Sequence, residues 1–278
     1  MNAIEALIAA EELPGDYLEV VDRHWQPLAE RIASEANRPL LVGINGAQGS
    51  GKTTLCRFLE RLLQARDLRA VTLSLDDLYL TRAERQDAAM DHHPLFATRG
   101  VPGTHDVMLG EDVLDKLAAG RPTTMPRFDK AADDRSPDTT VIDSPVDVIL
   151  FEGWCVGAVP QPAAALREPV NRLEADEDPD GVWRREVNRR LATDYAGLFE
   201  RIDLLVMLKV ESFEAVRANR LLQEQKLARS DPGGAALMNE AALDRFLMHY
   251  ERLTRWMLAE MPARADVLIE IGADQRPI

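Results

Sequence analysis

"PLLVGINGAQGSGKTTL", residues 39 to 55, decides the reading of the whole chain. Its first half is a short continuous apolar run, which suits a strand buried on both faces. Its second half is punctuated by Gly46, Gly49 and Gly51 and leads into the helical run "TTLCRFLERLLQ". Gly46, Gly51, Lys52 and Thr53 stand at the G-x-x-x-x-G-K-[ST] spacing, placed where a strand should turn into a helix. There, consecutive backbone N–H groups and the positive end of the helix can surround a polyphosphate. The glycines let the backbone close on phosphate oxygens, the Lys52 side chain reaches the β and γ phosphates, and the Thr53 hydroxyl can ligate Mg²⁺. Gly46, Ala47, Gln48, Gly49, Ser50, Gly51, Lys52, Thr53 and Thr54 are therefore the expected nucleotide cradle, with ATP and Mg²⁺ as the implied cofactors.

Four more apolar runs lie outward from this one: "AVTLSL" (70 to 75), "VDVILF" (146 to 151), "DLLVML" (203 to 208) and "DVLIEI" near the C-terminus. Helical patterns alternate with them, notably "EDVLDKLAAG", "VWRREVNRRLATDYAGLFERI" and "SFEAVRANRLLQEQKLA". The alternation predicts an α/β fold of the P-loop NTPase type, a parallel sheet sandwiched by helices. Apolar residues at three- and four-residue spacing predict helices between residues 3 and 36, with Trp25 in the core. The expected layout is an N-terminal helical extension, 1–38, packed on a single kinase-like domain, 39–278, with a lid helix at about 212–230. Residues 86 to 107, 127 to 140 and the acidic stretch 171 to 181 are the expected irregular segments.

The chain has 278 residues, 46% of them hydrophobic, enough for a sizeable core. Its 33 basic and 47 acidic residues leave a formal net charge of −14, which argues against a nucleic-acid or anionic-membrane surface. Cys56 and Cys155 lie far apart with no metal-ligand spacing, which predicts neither a disulfide framework nor a zinc site. The N-terminal residues show no export signal and no run long enough to span a bilayer, so a cytoplasmic location is expected.

A phosphate cradle alone does not say what is done with the nucleotide. No N-K-x-D base-reading motif of a GTPase occurs, and the run "VDVILFEGW" ends in Glu152-Gly153 instead of the Asp-Glu of many motor ATPases. That leaves a small-molecule kinase, with Glu152 as the carboxylate that organises the metal. In an open parallel sheet, ligands bind beyond the carboxyl ends of the strands where strand order reverses. Gly46, Asp76 and Glu152 each fall at such an end. Transfer to an alcohol needs a group that accepts the hydroxyl proton, and Asp76 of "SLDDLYLTR" is placed for it. Alternation along the strand should turn Asp77 away. Arg99, His105, Arg127 and Arg135 sit in the irregular segments, where they can pair with an anionic acceptor. Arg217 and Arg220 lie three apart on a helix with Glu224 four beyond, the pattern of an ion-paired surface helix or of a lid that places an arginine over the transferring phosphate.

The blocks "GAQGSGKTTL", "SLDDLYLTR", "RGVPGTHD", "PRFDKAADDR", "FEGWCVG", "EDPDGVWRREVNRRLATDYAGLF" and "RLLQEQKL" resemble, in that order, those of the D-glycerate 3-kinase family of plants and fungi. That family belongs to the phosphoribulokinase, uridine kinase and pantothenate kinase group. The resemblance implies a glycerate acceptor, Asp76 as base, Arg220 in the lid, and Tyr79, His105, Asp106 and Arg135 along the acceptor pocket. Two departures stand out: "DKAADDR" is shorter than the family's Asp-Lys block, and Asn219 precedes Arg220 where the family carries Trp. A nucleoside, pantothenate-like or sugar acceptor, or an ATP-binding regulator that catalyses no transfer, remains the alternative. Oligomeric state is not encoded in any of these patterns.

Overall fold

The computed structural model describes residues 2–230 and 239–278, the side chains of 223–230 excepted. Three short helices open the chain, α1 (Ala3–Ala10), α2 (Tyr17–Val20) and α3 (Gln26–Ser34), with a π-helical turn Val21–Trp25 joining the last two. Strand β1 (Leu40–Gly46) then leads into α4 (Lys52–Gln64), and β2 (Ala70–Ser74) follows. Next come α5 (Arg82–Asp91), α6 (Val107–Ala118) and four short strands, β3 (Thr123–Met125), β4 (Phe128–Asp129), β5 (Asp134–Arg135) and β6 (Thr140–Ile142). After β7 (Val148–Gly153) the chain forms α7 (Arg172–Glu177), α8 (Val182–Ala192), α9 (Asp194–Phe199) and β8 (Leu204–Val210). It ends with α10 (Phe213–Ser230), α11 (Glu240–Glu260) and β9 (Val267–Ile271).

All five anticipated strands form one sheet in the order β2-β7-β1-β8-β9, with every adjacent pair parallel. The strand that feeds the cradle is central because a parallel sheet grows outward on both sides of β1, through crossovers that cover both faces. Alternate residues of β1 serve the two layers. Leu40, Val42 and Ile44 join a core with α1–α4, α10 and α11, and Leu41 joins another with α6, α8, α9 and α11. The N-terminal helices are part of the first core: Ile32 and Ala29 are fully buried beside Phe58 and Leu59 of α4. Trp25 is buried there too.

Several local expectations need correction. The run 182–202 is not one helix but α8 and α9, broken at Thr193, whose φ and ψ of −113° and −74° interrupt the spiral. The acidic stretch 171 to 181 is not all loop, because Asn171 caps α7 by accepting from the Glu174 N–H. Glu174 is buried against Arg252, which donates Nε to Oε1 at 2.7 Å and Nη2 to Oε2 at 2.6 Å. A partner 78 residues away makes a buried carboxylate tolerable there. Helix α11, which supplies that arginine, carries no motif and was not anticipated. Residues 86–91, the start of the segment expected to be irregular, belong to α5, which begins behind a Thr81–Glu84 capping box. Among the described residues no helix is long and apolar enough to cross a membrane. Cys56 and Cys155 are both free and buried.

Candidate active site

Reversal of strand order around β1 opens a crevice at the carboxyl edge of the sheet, beyond the ends of β1, β7 and β2. A cleft of about 840 Å³ lies there, within the size range of small-ligand sites. Gln48, Gly49, Lys52 and Thr53 line it on the cradle side, Glu152 and Ser74 at its floor, and Asp76, Asp77, Tyr79, Arg99 and Arg127 beyond them. Arg220 of α10 reaches it from the opposite direction.

The cradle is built for close approach of a ligand to backbone. A side chain at Gly46 would put its Cβ 2.4 Å from Ser50 Oγ, so only glycine lets β1 pass under the loop. Gly51 has φ +88° at the cap of α4 and turns the chain into the helix. Lys52 donates from Nζ to the Ala47 carbonyl at 3.2 Å, folding its ammonium back over the loop. Gln48 Oε1 and Ser50 Oγ are buried without a hydrogen-bond partner. Buried polar atoms of this kind are ordinarily satisfied, and here they belong to the loop that the motif assigns to polyphosphate.

Glu152 ends β7 almost completely buried. Its Oε1 accepts from Thr53 Oγ1 and from Ser74 Oγ, each at 3.1 Å. Burial raises the carboxyl above its ordinary pKa, and the nearby Lys52 ammonium opposes the rise. A buried carboxylate next to a P-loop threonine hydroxyl fits a divalent cation that is also held by nucleotide phosphates. No set of three or more His, Cys, Asp or Glu able to hold a metal alone occurs among the described residues.

Asp76 does not sit on a strand. Strand β2 stops at Ser74, whose hydroxyl accepts from the Asp76 N–H at 3.3 Å, and Leu75–Leu78 form a 3₁₀ turn. Both carboxylates therefore face the cleft, and the expected strand alternation does not separate them. Their partners do. Asp77 is held by Arg127 Nη1 at 2.7 Å and by the Phe128 N–H at 3.1 Å. Asp76 meets Lys130 Nζ at 2.5 Å. Burial raises the Asp76 pKa, but Lys130 and then Lys52 outweigh it and hold the group below the ordinary carboxylate value. It is ionised at neutral pH.

The acceptor-side candidates fall into two sets. Arg99 lines the cleft, pairs with Asp133 and lies 5.6 Å from the Phe128 ring. Tyr79 is buried, with its phenol pKa raised well above normal by burial and the Asp76 charge. His105, Asp106 and Arg135 stand behind that wall instead of lining it. The His105 ring stacks on Tyr79 at 4.5 Å, and its Nδ1 is 2.7 Å from the Tyr195 hydroxyl. Burial lowers its pKa to about 3, so the ring is neutral and does not serve as the cationic partner of an acid. Arg135 donates to Asp106 Oδ2 at 2.8 Å and to the Tyr79 carbonyl at 3.2 Å, while Asp106 Oδ1 caps α6.

Several lining residues carried no signal of their own. Trp154 donates Nε1 to the Gly100 carbonyl at 2.9 Å, and Tyr250 donates its hydroxyl to the Arg99 carbonyl at 3.1 Å. Together they pin the "RGVPGTHD" loop. Gly100, at φ +143°, passes so close to Tyr250 that an added Cβ would lie 2.2 Å from its hydroxyl. Lys130 lies inside the "PRFDKAADDR" block, which is the only signal that could have found it. On α10, Arg217 is turned to α11, donating Nε to Asp244 Oδ1 at 2.6 Å and Nη2 to Glu240 Oε1 at 2.7 Å. The geometry thus assigns the two arginines to different faces. The Glu224 side chain lies outside the described residues.

This cleft has recognisable relatives. Residues 41–168 match the model of the phosphoribulokinase/uridine kinase family. The chain is 33% identical over 247 residues to "Uncharacterized kinase mug58" of Schizosaccharomyces pombe, covering 84% of this chain and 86% of that one. The chain belongs to the phosphoribulokinase/uridine kinase family. It is 32% identical over 260 residues to the chloroplastic D-glycerate 3-kinase of Arabidopsis thaliana, spanning 86% of this chain and 54% of the plant protein. The D-glycerate 3-kinase of Cryptococcus neoformans superposes with a TM-score of 0.75 at 25% identity, over 95% of this chain and 98% of that one. Within its family this kinase is thus a homologue of D-glycerate 3-kinases, and its cradle, Glu152 and Asp76 occupy one rim of a P-loop kinase fold.

Proposed function

We propose that this kinase transfers the γ-phosphoryl group of ATP to a hydroxyl of a small hydroxy acid, with D-glycerate as the acceptor. The reading rests above all on one juxtaposition: Asp76, ionised and half-buried, shares a cleft with Lys52, Thr53 and Glu152 on one side and with Arg99, Arg127 and Lys130 on the other. Cations are concentrated there although the chain carries a net charge of −14. A small carboxylate can be held in such a place only by local positive charge. The names of the relatives support the same acceptor class.

In this reading the cradle N–H groups and Lys52 hold the β and γ phosphates, and Arg220 approaches the transferring group from α10. Thr53 and Glu152 would hold Mg²⁺, which when bound offsets the phosphate charge. Asp76 takes the proton from the acceptor hydroxyl. Tyr79 braces that carboxylate, and His105, Asp106 and Arg135 position Tyr79 from behind. Trp154 and Tyr250 restrict the acceptor to a small molecule by fixing the 98–106 loop.

A second reading, a neutral sugar, nucleoside or pantothenate-like acceptor, draws support from the pairing of Arg99 with Asp133 and of Arg127 with Asp77, which offsets part of the local charge. An acceptor panel separates the two. ADP release in the presence of ATP and Mg²⁺ should be stimulated by D-glycerate far more than by glycerol, ribose, uridine or pantothenate. Stimulation by a neutral acceptor and none by D-glycerate would replace the first reading with the second.

A further inference from the structure

Lys130 lies between β4 and β5, and this small hairpin is tied to the cleft mainly by charge. Arg127 holds Asp77, Lys130 holds Asp76, and Asp133 accepts from Arg85 and Arg99. Arg85 is fully buried and serves as the fixed anchor. The Lys130 side chain, in contrast, is 62% exposed, and exposed ion pairs contribute little stability, so its contact with Asp76 can be exchanged at small cost.

That contact conflicts with catalysis. A carboxylate engaged by an ammonium is a weak proton acceptor, and the pairing holds Asp76 below the ordinary carboxylate range. A base must instead turn a free lone pair to the acceptor hydroxyl. An anionic group on the acceptor removes the conflict, because it gives the long, flexible lysine side chain a second partner beside the first.

We infer that Lys130 exchanges between Asp76 and the anionic group of the acceptor, so that Asp76 becomes available as base only when an anionic acceptor fills the cleft. The inference rests on the hydroxy-acid reading above and extends it to selectivity. On transfer, the acceptor O–H proton passes to Asp76, the bond from acceptor oxygen to γ-phosphorus forms, and the bond to the β–γ bridging oxygen breaks, its electrons leaving with ADP. Water can follow the same course if Asp76 is uncovered. Lys130 therefore both selects anionic alcohols and suppresses idle hydrolysis of ATP.

The test uses Lys130→Met and Lys130→Arg in the full chain. It compares kcat and KM for D-glycerate and for glycerol, the KM for ATP, and ATP hydrolysis without acceptor. Losing one charge-assisted contact to a substrate corresponds to about tenfold or more in affinity. Lys130→Met should therefore raise the D-glycerate KM about tenfold or more, shrink the preference for D-glycerate over glycerol by a similar factor, and increase acceptor-free hydrolysis several-fold, with the ATP KM unchanged. Lys130→Arg should recover part of the preference. Equal losses on both acceptors, or a change confined to the ATP KM, would overturn the exchange. If the wild-type protein does not phosphorylate D-glycerate, the hydroxy-acid reading fails by itself. The hydrolysis measurement then still decides for Lys130: a rise in the Met variant supports the plug on Asp76, and an unchanged rate refutes it.

Discussion

Thr53 Oγ1 donates to Glu152 Oε1 at 3.1 Å, joining two residues that are 99 positions apart in the chain. The first turn of α4 is thereby locked to the end of β7, and Ser74 adds the end of β2 through the same oxygen. The ends of two adjacent strands and the first turn of a helix meet on one buried carboxylate.

Glu152→Gln keeps the shape of that junction and removes its charge. The requirement for Mg²⁺ should rise about tenfold or more, as when an outer partner of a metal site is lost, and kcat should fall. Because burial raises the carboxyl pKa, ionised Glu152 costs stability at neutral pH, and the amide should melt at the same temperature or higher. An unchanged Mg²⁺ titration of activity would remove Glu152 from the metal site.

Asp76→Asn should lower kcat by roughly 10²–10⁴-fold, the range for loss of a general base, with little change in ATP affinity. Asp77 has a different task, holding Arg127 and the Phe128 N–H, so Asp77→Asn should act on the hairpin and raise the acceptor KM more than it lowers kcat. Steady-state kinetics of both variants beside ATP binding distinguish these outcomes. A fully active Asp76→Asn enzyme would mean that another group takes the proton.

The two arginines of α10 should respond in opposite ways. Arg220→Ala should lower kcat by roughly 10²-fold or more if its guanidinium meets the charge that develops on transfer. Arg217→Ala removes a half-exposed pairing with Asp244 and Glu240, costing at most about 1 kcal/mol of stability and leaving kcat in place. Equal effects of the two substitutions on turnover would contradict the division of faces.

His105 makes stability depend on pH. Its folded-state pKa is lowered to about 3, against an ordinary value near 6.5 in the unfolded chain. Above pH 6.5 both states are neutral at this site and it contributes nothing to the pH dependence. Below that, the unfolded state binds a proton that the folded state refuses, so stability falls by up to about 1.4 kcal/mol per pH unit until pH 3. Melting of His105→Gln between pH 6.5 and 5 should show a shallower fall than the wild type. Parallel curves would indicate that His105 titrates normally in the fold.

The sequence alone determined the sheet and its cradle. Five short apolar runs alternating with helical periodicity specify the strands of a parallel sheet, buried on both faces at its centre and on one face at its β2 and β9 edges, and the Gly46–Thr53 spacing specifies a phosphate-binding turn, since both follow from backbone geometry and side-chain period. Lys52, Glu152 and Asp76 lie at or next to the ends of elements that this pattern already marks, which is why they stand out in the sequence. What the sequence did not determine was pairing across long separations. Glu174 reads as part of an acidic loop until Arg252 is folded against it, and Arg217 cannot be told from Arg220 until α11 supplies Asp244. Asp76 and Asp77 look like alternating strand residues until a 3₁₀ turn brings both to the cleft. Only the tertiary structure decided these, because the partners that fix a charged side chain come from elements far away in the chain, while local propensity records no more than the residue's own preference.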